Sequence, residues 1–181
     1  MRDQAKRSAY PLGLFVDEDI AEFLDILEPH QLPEPYQRLL VHRNDMTGTL
    51  ERYHGQPMAL RVLKKRVTAD EVARQVELVG QDDGRTAEFG AIRVNLDCFE
   101  GEARNQILEC RRPLGGILTE FSIEFTSRPS VYFCVRPDAG FRHSLRIPGA
   151  GRLYGRCNQL LTADGAVIAD VVEILPPDLP S

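Results

Sequence analysis

One stretch constrains the fold of this chain more than any other: Gly165–Pro177, GAVIADVVEILPP. It reads as a strand that is apolar on both faces. Val167, Ala169, Val171 and Leu175 share one side; Ile168, Val172 and Ile174 share the other. Glu173 falls on the first side, between Val171 and Leu175. A carboxylate there is costly to desolvate unless it finds a partner or takes up a proton. Arg74 meets the same difficulty on another strand and is the expected partner.

The rest of the chain supplies what such a strand needs. At 181 residues it is long enough for one domain with a real core, and 43% hydrophobic with 27% charged residues is the profile of a soluble globular protein. A net charge of −5 argues against nucleic acid as the main partner, so an anionic ligand would have to be met by local arginines. Cys98, Cys110, Cys134 and Cys157 form no CxxC pair and read as free thiols of a reducing compartment, with no metal site. No run approaches membrane-spanning length and the N-terminus lacks the apolar segment of a signal peptide, which reads as cytoplasmic.

Along the chain, residues 1–15 read as a loose lead-in and 16–181 as a single domain. Asp17 or Asp19 would cap a helix carrying the stripe Ile20, Phe23, Leu24 and Leu27, ended by Pro29. A second short helix places Tyr36, Leu39 and Leu40 inward. A third starts after Asn44-Asp45-Met46-Thr47, holds Leu50 and Tyr53, and closes at Gly55. Strands follow at Met58–Leu63, Val72–Val79 and Glu88–Leu96, with Asp83-Gly84 as a tight turn. In the second, Val72, Arg74, Val76 and Leu78 share a side; in the third, Gly90, Ile92, Val94 and Leu96 do. Helices come next over Glu102–Cys110 and from Pro113, with Leu114, Ile117 and Leu118 inward. Strands then resume at Ser122–Thr126 and Val131–Val135, split by Ser127-Arg128-Pro129. A loop over Pro137–Gly151 leads to a closing hairpin, Leu153–Leu161 and Ala166–Leu175, turned at Asp164-Gly165. This order predicts one α+β domain with a central antiparallel sheet of about six strands and helices packed over it.

Two readings of Arg74 and Glu173 stand side by side. They form a structural ion pair, or they line a pocket in which Arg74 binds a ligand carboxylate through its planar fork and Glu173 binds a hydroxyl or moves a proton. Arg93, Arg128, Arg136, Arg142, Arg146, Arg152 and Arg156 read as a solvated surface or as the mouth of an anion site. His30, His42, His54 and His143 have neither ligand spacing nor a nucleophile partner. Gly149–Gly155, GAGRLYG, has Tyr154 where a dinucleotide loop needs its third glycine.

Five blocks in order also resemble the chorismate pyruvate-lyases, over roughly residues 40–177. They are Asp45-Met46-Thr47 with Leu50-Glu51; Arg74-Gln75-Val76-Glu77-Leu78; Pro113-Leu114-Gly115 with Ile117-Leu118; Leu153-Tyr154-Gly155-Arg156; and Val172-Glu173-Ile174-Leu175-Pro176-Pro177. The resemblance implies a chorismate lyase-like fold, no metal and no organic cofactor, and removal of pyruvate from chorismate to leave 4-hydroxybenzoate. It implies that Arg74 holds a carboxylate, that Glu173 meets the 4-hydroxyl at the opposite end and assists proton movement, and that Met46 and Leu114 wall the ring. The alternative is a non-catalytic module for an aromatic or cyclic carboxylate, similar to the effector-sensing domains of some bacterial transcription regulators. The lyase is the preferred expectation, because both Arg74 and Glu173 are present.

Overall fold

The computed structural model describes residues 9–16, 19–136, 151–177 and 179. Its frame is one seven-stranded sheet. The strands are β1 (Leu24–Leu27), β2 (Met58–Val67), β3 (Glu71–Gly80), β4 (Thr86–Asn95), β5 (Thr126–Val135), β6 (Leu153–Leu161) and β7 (Val167–Leu175). They lie in the order β1-β5-β6-β7-β4-β3-β2, and every neighbouring pair is antiparallel. The doubly apolar stretch is β7, the middle strand, with β6 on one side and β4 on the other. The two Asp-Gly turns close β3–β4 and β6–β7, and Gly84 (φ +69°) and Gly165 (φ +88°) take the left-handed conformation that glycine enters without steric cost.

The helices are α1 (Tyr10–Gly13), α2 (Tyr36–Leu40), α3 (Met46–His54), α4 (Gly101–Glu109) and α5 (Leu114–Glu120). On one face of the sheet, Ala9, Leu12 and Phe15, around α1, pack against Ala73, Ala91 and Val172. The other face carries two groups. Leu39 and Leu40 of α2 with Met46 and Leu50 of α3 pack on Leu78 and Leu175; Ile107 of α4 with Leu114, Ile117 and Leu118 of α5 packs on Ile92, Val94 and Ala169. A cavity remains between the two groups.

The α+β class with a central antiparallel sheet matches the sequence expectation, with seven strands where about six were expected. The extra strand comes from the segment expected to be a helix before Pro29. Ile20–Glu22 is a 3₁₀ turn, and Leu24–Leu27 pairs with β5 in the register Leu24↔Val135 to Leu27↔Tyr132. The open edge of β5 offers backbone partners over four residues, which outweighs a helical apolar stripe too short to hold a helix by itself. Of the expected pair Ser122–Thr126 and Val131–Val135, residues 122–125 form no strand, and Thr126–Val135 is one strand, β5. Pro129, which has no N–H to donate, is accommodated by a register irregularity between Pro129 and Val131. Residues 1–8 of the lead-in, Asp17, and the loop residues 137–150 with Arg142, His143 and Arg146 lie outside the described residues.

Candidate functional site

Strand pairing places Arg74, Glu88 and Glu173 on the cavity face. Arg74 lies opposite Ile92 of β4, and Ile92 lies opposite Val171 of β7. One pleat further along, Val76, Gly90, Glu173, Arg156 and Tyr132 form a continuous cross-strand row. Glu88 stands one pleat beyond that, opposite Leu78. The first turns of two helices form the roof. Asp45 caps α3 by accepting the Gly48 N–H at 2.6 Å, and Met46 is the first residue of that helix. Leu114 is the first residue of α5, and Gly115 lies so close under Asp45 that a Cβ there would collide with Oδ1. The cavity encloses about 80 Å³ of solvent-accessible interior, room for several waters or one small molecule. Arg74, Glu173, Met46 and Leu114 all line it.

Arg74 is 3% exposed. Its Nη2 donates to the carbonyl of Arg112, in the connection between α4 and α5, at 3.1 Å. Its Nε and Nη1 are buried with no hydrogen-bond partner, and among the described residues no carboxylate pairs with it. Burial pulls its pKa down, and only the neighbouring Cys110 thiol acts in the opposite sense. A guanidinium nonetheless keeps its charge inside a protein. The result is a desolvated cation facing a cavity with two unused donors.

Glu173 is placed differently from the expectation. Its partner is Arg156, directly opposite on β6, whose Nε–H donates to Glu173 Oε2. Arg156 is fully buried, and its Nη1 also donates to the carbonyls of Leu40 at 2.8 Å and His42 at 2.9 Å. The expected Arg74–Glu173 partnership is therefore corrected. The two share a cavity, but the ion pair belongs to Arg156, because cross-strand neighbours on one face meet without any rearrangement.

A second buried carboxyl, Glu88, joins this end. It is 5% exposed and its Oε2 has no partner. Burial first, then the Glu173 carboxylate, push its pKa well above the ordinary value, while Arg156 opposes the rise. His42, whose Nδ1 accepts from Asn44 N–H at 3.1 Å, is pulled below its ordinary value by burial and by Arg156. Asn158 also lines the cavity, with its Nδ2 donating to Ser127 Oγ at 3.0 Å.

Sequence reasoning missed Glu88 and offered Arg156 only as one of seven arginines of a solvated surface or an anion mouth. Glu88 shares the phase of Gly90 and Ile92 at the head of its strand, and Arg156 shares that of Tyr154 and Asn158. Both signals were present. Of the other arginines of the group that the structure describes, Arg152 is exposed, Arg93 reaches Glu71 at 3.3 Å, Arg128 donates to Gln159 at 2.7 Å, and Arg136 reaches Asp25 at 3.4 Å. Among the described residues no group of three or more His, Cys, Asp or Glu could hold a metal ion, and no helix is long and apolar enough to cross a membrane.

No protein-family model matches the sequence, and no curated protein matches it. Solved structures do match the fold. PhnF from Mycobacterium smegmatis is 12% identical with a TM-score of 0.58, over 78% of this chain and 67% of that one. The effector domain of PhnF alone is 12% identical with a TM-score of 0.56, over 73% and 88%. The ligand-binding domain of a transcriptional regulator ascribed to the GntR family, from Bordetella bronchiseptica, is 12% identical with a TM-score of 0.50, over 67% and 87%. The expectation of an enzyme, a chorismate pyruvate-lyase, is corrected by these matches: the second is an effector domain and the third a ligand-binding domain, and Glu173 is tied to Arg156 where the lyase reading needed an acid/base group. The chain has the α+β, chorismate lyase-like fold that such effector domains share.

Proposed function

We propose that this domain binds a small cyclic or aromatic carboxylate in the cavity without transforming it. The observation that carries the reading is Arg74, a buried guanidinium with two unpartnered donors that lines the cavity. A buried charge left without a partner is costly, and a carboxylate completes it through two parallel hydrogen bonds. Met46 and Leu114 supply apolar walls for a ring, and Glu173, held by Arg156, supplies polarity at the far end. This division into apolar walls and a few fixed polar groups is typical of small-molecule sites.

The test is calorimetric titration of the chain with 4-hydroxybenzoate, benzoate and the neutral isostere benzamide. The carboxylates should bind and benzamide should not. Arg74→Ala should lose about 2–5 kcal/mol of carboxylate affinity, the range for removing one partner of a buried charge pair. Equal binding of benzamide, or unchanged affinity in Arg74→Ala, would overturn the reading.

A further inference from the structure

The cavity is electrically lopsided. Four charged or ionisable residues line it: Arg74 at one end, and Asp45, Glu88 and Glu173 toward the other. Arg156, next in the row on β6, is ion-paired with Glu173. Strand rise and spacing separate the Cα atoms of Arg74 and Glu88 by roughly 14 Å, four residues along and one strand across. The two ends do not satisfy each other: Arg74 keeps two unpartnered nitrogens and Glu88 an unpartnered oxygen, all buried. Gly90 helps keep the acidic end open. A Cβ there would lie 3.1 Å from Glu88 Oε1 and 2.6 Å from the Val172 carbonyl.

From this arrangement we infer that the preferred guest is dipolar: an amino carboxylate whose carboxylate meets Arg74 and whose ammonium, held about a ring's length away, meets Glu88 beside Asp45 and Glu173. This rests on the carboxylate-binding role of Arg74 and adds the chemistry of the second end. An α-amino acid carries both charges on one carbon and cannot reach both ends; a ring with substituents at opposite positions can. The charged groups around Glu88 are Glu173 from β7, Arg156 from β6 and Asp45 from the start of α3. Burial and Glu173 raise the pKa of Glu88; an ammonium placed against it acts in the opposite sense and favours the carboxylate, and a proton displaced on binding leaves to solvent.

The whole chain is titrated with 4-(aminomethyl)benzoate and with 4-ethylbenzoate, which has a methyl group in place of the ammonium, and with benzoate as reference. The ammonium compound should bind at least about ten-fold tighter than 4-ethylbenzoate. Its heat of binding should depend on the buffer's ionisation enthalpy, reporting the released proton. In Glu88→Gln the preference for the ammonium compound over 4-ethylbenzoate should collapse. If 4-ethylbenzoate binds as tightly as the ammonium compound in the wild-type chain, the dipolar guest is overturned while the role of Arg74 stands. If none of the three binds, both readings fall. Should Glu88→Gln not fold, the wild-type ratio and the proton release decide.

Discussion

Arg156 stands directly opposite Glu173 in the β6–β7 pair and donates its Nε–H to the Glu173 carboxylate in a contact sealed from solvent. The same guanidinium ties down the carbonyls of Leu40 and His42, so one side chain joins the middle of the sheet to the segment between α2 and α3. Removing one partner strands the other without water. Arg156→Leu should cost about 3–5 kcal/mol in urea unfolding. Adding Glu173→Leu should restore most of that loss, and the double-mutant cycle should show strong coupling. Additive losses would mean that the pair is not a unit.

Arg74 should show the opposite behaviour. It is a buried cation with two unused donors, so an apolar replacement of similar length removes an unsatisfied group. Arg74→Met should raise the unfolding free energy by about 1–3 kcal/mol, while losing carboxylate binding. A gain in stability with loss of function marks a residue kept for its ligand. A destabilised Arg74→Met would assign the residue a structural role.

Glu88 sets a pH dependence whose direction follows from its raised pKa. The unfolded chain releases this proton near about 4.3, whereas the folded chain retains it well above that. Between the two values the folded state binds more protons, so its stability falls as pH rises. Glu88→Gln resembles the protonated form and removes the penalty. Its stability advantage over the wild type, measured by urea unfolding, should be small near pH 4 and grow toward pH 8. An advantage that is constant with pH would remove Glu88 as the source.

His42 acts in the other direction. Burial and Arg156 hold its folded pKa below the ordinary value of about 6.5. The unfolded chain takes up the proton first as pH falls, so the contribution is complete above about pH 6.5 and is lost below it. Protonation would also place an N–H on Nδ1, which accepts from Asn44 and faces Arg156 at 3.4 Å. Replacing His42 with Asn should flatten the fall in melting temperature between pH 7 and 5. An unchanged slope would argue against this residue.

The roof has its own weak point. A Cβ at Gly115 would collide with Asp45 Oδ1 and stand 3.0 Å from its Cγ, and Asp45 is held in place as the cap of α3. Gly115→Ala should therefore cost about 1–2 kcal/mol, the scale of a lost N-cap, visible as a lower melting temperature. Gly116→Ala, where the nearest atom is the end of the Arg112 side chain at 3.9 Å, is the neutral control.

Much of this architecture was legible in the residues. The period-two pattern of β3, β4 and β7, the two Asp-Gly turns, and the cap at Asp45 are local signals, and local signals survive into the fold. Strand phase also brought Arg74 and Glu173 to one face. What it could not supply was the order of strands. The closing hairpin already put β6 beside β7; what was lacking was the register across it, which sets Arg156 opposite Glu173, and the position of β4 between β7 and β3, so Glu173 was matched to Arg74 in place of Arg156. β1 escaped for a related reason: four residues at a sheet edge are defined by their neighbour, β5, and not by their own pattern.

Arg74, Glu88, Glu173 and Arg156 all project from β3, β4, β7 and β6, strands bonded to neighbours along both of their edges. Their mounting points are thus fixed by backbone ladders that do not depend on which side chain is carried. Heads on this board can be exchanged while the board stays put. A lineage, or an engineer, could exchange Arg74 and Glu88 on such a board and keep the ladders, whereas Arg156 and Glu173 would have to change together.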